Sequence, residues 1–133
     1  ILVLSKKRAS EFTHDKSWAC ISISSPTFDH PSLSEKNRVD VLKLHFYDAE
    51  FQYPGLDEEY MFNTDHAKVI WNFVEKNKDV DLLMIHCEAG VSRSPAVGAA
   101  IAKQLWDDDS RFFRNYSPNM KIYRIMLESK QEV

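Results

Sequence analysis

Two cysteines among 133 residues are too few for a disulfide framework, and they point to a reducing, cytoplasmic setting. Positive charge is also short. Seventeen Lys and Arg stand against 20 Asp and Glu, for a formal net charge of −3 and a pI of about 5.9. Binding to nucleic acid or to an anionic membrane surface needs a basic face, so neither is expected as a partner. No apolar run approaches the roughly 18–20 residues of a membrane span. No signal peptide is expected either, because the apolar residues 1–4 are followed at once by Ser5, Lys6, Lys7 and Arg8. The chain shows no repeat, no low-complexity tract and no linker, and residues 1–133 are expected to form one domain. What remains is ordinary globular material, 44% hydrophobic and 28% charged, in a chain long enough to bury a core without staples.

Four apolar segments read as strands: residues 1–4, 18–23, 41–46 and 82–86. The first and last are continuous apolar runs, as in strands buried on both faces. The middle two alternate in part and are expected to be half exposed. Helical patterns lie between and after them. Asn63 or Thr64 caps a helix whose stripe is Ala67, Ile70, Trp71 and Val74, ending in the polar stretch 75–79. A second helix starts near Ser92, with Ala96, Val97, Ala100, Ile101 and Leu105 inward; Pro95 is tolerable only in its first turn. Residues 110–116 suggest a short helix. Ser117-Pro118 reads as N-cap and first residue of a final helix, with Ile122, Ile125 and Met126 inward. This alternation implies an α/β fold, a largely parallel central sheet of about four or five strands flanked by helices. Residues 45–62 fit neither period. They carry six aromatic side chains among Asp48, Glu50, Asp57, Glu58 and Glu59, and such a long irregular segment is often functional.

The chemistry concentrates where the last strand ends. His86 and Cys87 are followed by Glu88, Ala89, Gly90, Val91 and Ser92, then by Arg93, Ser94 and a helix. A thiol, a short loop and a helix N-terminus thus surround one point. Helix N-termini and nested amides attract anions, and the same field stabilises a thiolate. Arg93 adds a planar fork suited to two phosphate oxygens. Gly90 permits a positive φ and close backbone approach. The product is an activated nucleophile at the bottom of an oxyanion cradle.

His86-Cys87, five residues, then Arg93-Ser94 resembles the signature loop of the cysteine-dependent protein tyrosine phosphatases. The flanking Ala89-Gly90 and Ser92–Pro95 are similar to the small dual-specificity branch, and the order of elements agrees from about Trp18 to Leu127. The resemblance implies a protein tyrosine phosphatase-like fold and hydrolysis of phosphotyrosine, with phosphoserine or phosphothreonine as further substrates, in a phosphorylated protein or peptide. Cys87 would be the nucleophile. Arg93 and the amides of Glu88, Ala89, Gly90, Val91 and Ser92 would hold the phosphate, and Ser94 would assist departure of the thiolate. His86 would order the loop by hydrogen bonding, and the Asn of Pro118-Asn119 would brace it. The general acid is expected just after a strand, and Asp48 fits. It lies 39 residues before Cys87, a wide spacing that keeps Asp57 as a rival. No metal and no cofactor are implied. Cys20 reads as a core residue of its strand rather than a redox partner of Cys87. Lys36-Asn37-Arg38 reads as a solvated connection, not a phosphotyrosine-recognition loop. Two alternatives stand beside this reading. One is a non-catalytic phosphate-recognition module. The other is a phosphatase for a phosphoinositide or an RNA 5′-phosphate; such substrates usually meet extra Lys or Arg in the loop, where this chain has Glu88, Ala89, Val91 and Ser92.

Overall fold

Residues 82–85 are all aliphatic or Met, with no side-chain polar atom to leave unpaired, and they take an interior position in the sheet. In the computed structural model, which describes residues 1–130, four strands lie in the order β1 (Leu2–Ser5), β4 (Leu82–Cys87), β2 (Trp18–Ser24) and β3 (Arg38–His45). Every neighbouring pair is parallel. Five α-helices accompany them, α1 (Lys6–Glu11), α2 (Thr64–Lys76), α3 (Arg93–Trp106), α4 (Ser110–Asn115) and α5 (Met120–Lys130), with a short 3-10 helix at Glu58–Tyr60. The α/β architecture with a parallel four-stranded sheet is the one expected.

Side chains alternate across the sheet. On one face Ile21, Ile23, Ile85 and Cys87 join the large core with Ile70, Trp71, Val97, Ile101, Ile122 and Met126 of α2, α3 and α5. On the other, Trp18, Cys20 and Met84 meet Ala9 of α1, with Phe12 and Leu33 packed against them. Cys20 and Cys87 therefore sit on opposite faces. Cys20 is a core residue beside Met84 Sδ at 3.8 Å, and burial pushes its thiol up to about 12.

Several elements differ from expectation. β2 is buried along its whole length, because it is paired on both sides and covered on both faces; its serines are not solvent-facing but bonded inside. β1 is an edge strand in which only Val3 is buried. β3 is half exposed, as expected, but opens at Arg38. The six-residue α1 was not foreseen; Ser5 caps it by accepting from Arg8 N at 3.2 Å. α2 begins where expected: Asn63 accepts from Asp65 N and His66 N, and His66 Nδ1 accepts from Asn63 N at 3.1 Å. α3 carries Pro95 in its first turn, but Leu105 is 53% exposed rather than inward. The last helix is capped by Asn119, whose side chain accepts from Ile122 N at 3.1 Å. Ser117 lies ahead of the helix rather than at its cap, with its amide donating to Val91 O at 3.0 Å.

Candidate active site

Cys87 ends β4 at the carboxyl edge of the sheet, where parallel α/β folds place ligands. Its side chain is 2% exposed. Ser94 Oγ lies 3.1 Å from Cys87 Sγ, and Gly90 N donates to the sulfur at 3.3 Å. One hydroxyl and one amide thus already face the sulfur. The tight return to the sulfur depends on Gly90, at φ +73. A Cβ there would stand 2.7 Å from Ser5 N and 2.8 Å from Leu4 C, so the loop is wedged against the end of β1. Lys6 N donates to Glu88 O at 3.1 Å on the same side.

Arg93 is the first residue of α3 and is buried. Its Nη1 donates to Phe46 O at 3.0 Å and to Ser25 Oγ at 3.1 Å, which fixes the guanidinium plane beside the loop. Ser25 also donates its amide to Glu88 Oε1 at 3.3 Å. Ser25 is a site residue that the sequence reading missed. It follows β2 directly, and nothing local distinguishes it from other loop serines.

Asp48 is brought to this point and Asp57 is not. Asp48 Oδ1 accepts from Ser92 Oγ at 2.8 Å and from Asn119 Nδ2 at 2.9 Å. Asp57 is exposed, and its amide donates to Tyr47 Oη at 3.2 Å. Asn119 sits differently from the expectation that its side chain braces the loop. Its backbone amide does so, donating to Ser92 O at 3.1 Å, while its side chain holds Asp48. His86 points to the opposite face from Cys87. Its Nε2 is 2.6 Å from Ser22 Oγ, and its Nδ1 is 3.4 Å from Cys87 O. Burial lowers its basicity. Val91 and Ala89 are exposed on the outer rim. Among the described residues no group of three or more His, Cys, Asp or Glu side chains is placed to hold a metal ion.

Solved structures with this architecture decide what the fold is. Human DUSP28 superposes with a TM-score of 0.61 at 13% identity, covering 98% of this chain and 91% of that one. A human tyrosine phosphatase-like serine/threonine/tyrosine-interacting protein gives 0.59 at 16%, covering 88% and 78%. PTPMT1 in complex with PI(5)P gives 0.59 at 15%, covering 98% and 88%. This is the dual-specificity and tyrosine phosphatase fold. No protein-family model and no curated protein sequence matches the chain. Within the dual-specificity phosphatase fold, the loop after β4 and the start of α3 meet the Cys87 sulfur, the residue after β2 holds Arg93, and the segment after β3 is tied to the loop at Ser92.

Proposed function

We propose that this chain is a cysteine-dependent protein phosphatase. It hydrolyses phosphotyrosine, with phosphoserine and phosphothreonine as further substrates, in a phosphorylated protein or peptide, in a reducing cytoplasmic setting. The observation that carries the reading is the sulfur of Cys87 at the base of a loop that already directs Gly90 N and Ser94 Oγ at it, with Arg93 locked alongside. In the first step the thiolate attacks phosphorus, and the bond to the ester oxygen breaks. Loop amides from Glu88 to Arg93 and the guanidinium hold the three equatorial oxygens. With Nη1 spent on Phe46 and Ser25, Nε and Nη2 form the edge left for two of those oxygens. Asp48 gives its proton to the leaving oxygen. In the second step the same carboxylate takes a proton from water, which attacks phosphorus and expels the thiolate. Ser94 Oγ donates to the departing sulfur. The loop and Arg93 supply the positive field, so no metal enters any step.

Hydrolysis of an aryl phosphate with acid-quench trapping of phosphocysteine tests this directly. Cys87→Ser should abolish both turnover and trapping while keeping the fold, since a hydroxyl is far less nucleophilic than a thiolate at neutral pH. Turnover in verified Cys87→Ser protein would overturn the mechanism. A folded wild type that binds phosphate without turnover would instead be a recognition module. A parallel panel of phosphotyrosine peptide, phosphoinositide and RNA 5′-phosphate should show the peptide fastest, because Glu88 and the absence of Lys or Arg between Cys87 and Arg93 disfavour more highly charged esters.

A further inference from the structure

Behind the loop, on the face of the sheet away from Cys87, four side chains form an unbroken polar chain. It starts at Cys87 O, 3.4 Å from His86 Nδ1. His86 Nε2 is 2.6 Å from Ser22 Oγ, and Ser22 Oγ is 2.7 Å from His30 Nδ1. His30 Nε2 is 3.1 Å from His45 Nε2, and His45 Nδ1 is 3.0 Å from Ser25 O. The chain thus crosses β4, β2, the segment after β2 and the end of β3. It finishes at the residue whose hydroxyl holds Arg93.

Both ends are carbonyl oxygens, which only accept. Between them lie five contacts. A neutral histidine has one ring N–H and a serine one O–H, so the four neutral side chains supply four protons for five bonds. Left neutral, the chain sets two lone pairs against each other at one of its five contacts, the longest being His86 Nδ1 to Cys87 O at 3.4 Å. One added proton satisfies all five. The arrangement is the same whether that proton is counted on His45, His30 or His86, because a shift along each hydrogen bond moves the charge to the next ring without breaking any contact. We propose that Ser22, His30, His45 and His86 share one excess proton, and that this charge, held behind the loop, keeps Cys87 ionised and reactive.

The surrounding charges limit the chain to a single added proton. Lys6 of α1, Lys43 of β3 and Arg93 of α3 oppose it, and Glu88 in the loop favours it. Burial and the neighbouring rings push His30 down to about 4, and burial pushes His86 down. A second proton is repelled by the first. His30, His45 and Ser22 are positioning residues that act through His86 and Ser25.

This inference rests on the reading of Cys87 as the nucleophile, so its test separates the two. Removing His45 leaves three contacts and three protons, a chain satisfied when neutral. His45→Phe should therefore lose the charge, and His45→Lys should restore it, because an ammonium donates to both Ser25 O and His30 Nε2. A unit charge about 10 Å from the sulfur at an effective dielectric near 20 changes thiolate population roughly tenfold. Alkylation of Cys87 by iodoacetamide at pH 6, read by mass spectrometry of the labelled peptide, should fall about tenfold in His45→Phe and return to within about twofold of wild type in His45→Lys. Nitrogen-15 spectra at pH 6 should show one doubly protonated imidazole among His30, His45 and His86 in wild type, and none in His45→Phe. Unchanged alkylation in folded His45→Phe, failure of His45→Lys to restore it, or any other proton count in wild type overturns the proposal. If wild-type Cys87 reacts no faster than a free thiol, the nucleophile reading fails, while the nitrogen spectra still judge the shared proton.

Discussion

Cys87, Gly90, Arg93 and Ser94 were legible in the sequence because their spacing is local: a strand, a five-residue return and a helix start lie in one continuous stretch. Their partners were not, because Phe46 O and Ser25 Oγ reach Arg93 from 47 and 68 residues away, and only the sheet order brings them there. The geometry at Arg93 has a measurable consequence. Lysine keeps the charge but cannot donate at once to Phe46, to Ser25 and to two phosphate oxygens. Arg93→Lys should therefore lose about 10²- to 10³-fold in kcat/KM toward an aryl phosphate. Near-normal kinetics would mean that the α3 N-terminus alone holds the anion. Ser94 is separable from it. Its hydroxyl lies 3.1 Å from the sulfur, and its proposed role is to stabilise the thiolate as it leaves phosphorus. Ser94→Ala should slow breakdown of the phosphocysteine more than its formation, giving a burst of phenolate followed by a slow steady state. Equal slowing of both phases would mean that the serine acts only in packing the first turn of α3.

The segments that carried a clear period matched their elements, and those that did not were misread for identifiable reasons. α1 is six residues of mostly charged sequence with only Ala9 buried, so it has no stripe to find. β2 looked half exposed because Ser22 and Ser24 alternate with Ile21 and Ile23. They are fully buried, since Ser22 finds its partners in His30 and His86 and Ser24 Oγ donates to Asp29 O at 3.3 Å. The start of α5 was placed two residues early because Ser-Pro is a common helix opening, whereas Ser117 N and Asn119 N bond back to the loop at Val91 and Ser92. That same junction ties Asp48, the proposed general acid, to the loop. Asp48, Ser92 and Asn119 form one bonded group linking the end of β3, the loop and α5. Asp48→Asn should slow hydrolysis of an aryl phosphate with a poor leaving group by about 10²- to 10⁴-fold, and less when the leaving group is acidic. Asp57→Asn should leave the rate within about twofold, as expected for an exposed residue away from such features. A large leaving-group-dependent loss in Asp57→Asn instead would exchange the two roles. Asn119→Ala should give a smaller loss than Asp48→Asn, with the same leaving-group dependence, because it frees the acid without removing it.

Histidine is spread through the interior of this protein in a way that couples its fold to pH. Burial of neutral rings pulls His30, His66 and His86 below the ordinary histidine value of 6.5, His30 to about 4. Each binds a proton more readily in the unfolded chain than in the native one. Native stability from these groups is therefore complete above about pH 6.5 and is lost as the pH falls through that value toward the folded ones. Their positions make the loss structural. His66 Nδ1 accepts from Asn63 N to close the cap of α2 and packs beside Phe62 and Phe46. Protonation of that nitrogen opens the cap and charges an aromatic cluster under the core. The expected result is a urea midpoint steady from pH 8 to 7 that falls continuously from pH 6.5 to 4.5, before most carboxylates titrate. His66→Gln can still accept from Asn63 N through its amide oxygen but does not titrate. It should hold a higher midpoint at pH 5 relative to its own value at pH 8 than wild type does. If the two proteins lose stability in parallel over that range, His66 does not carry the dependence, and the buried rings behind the loop must supply it.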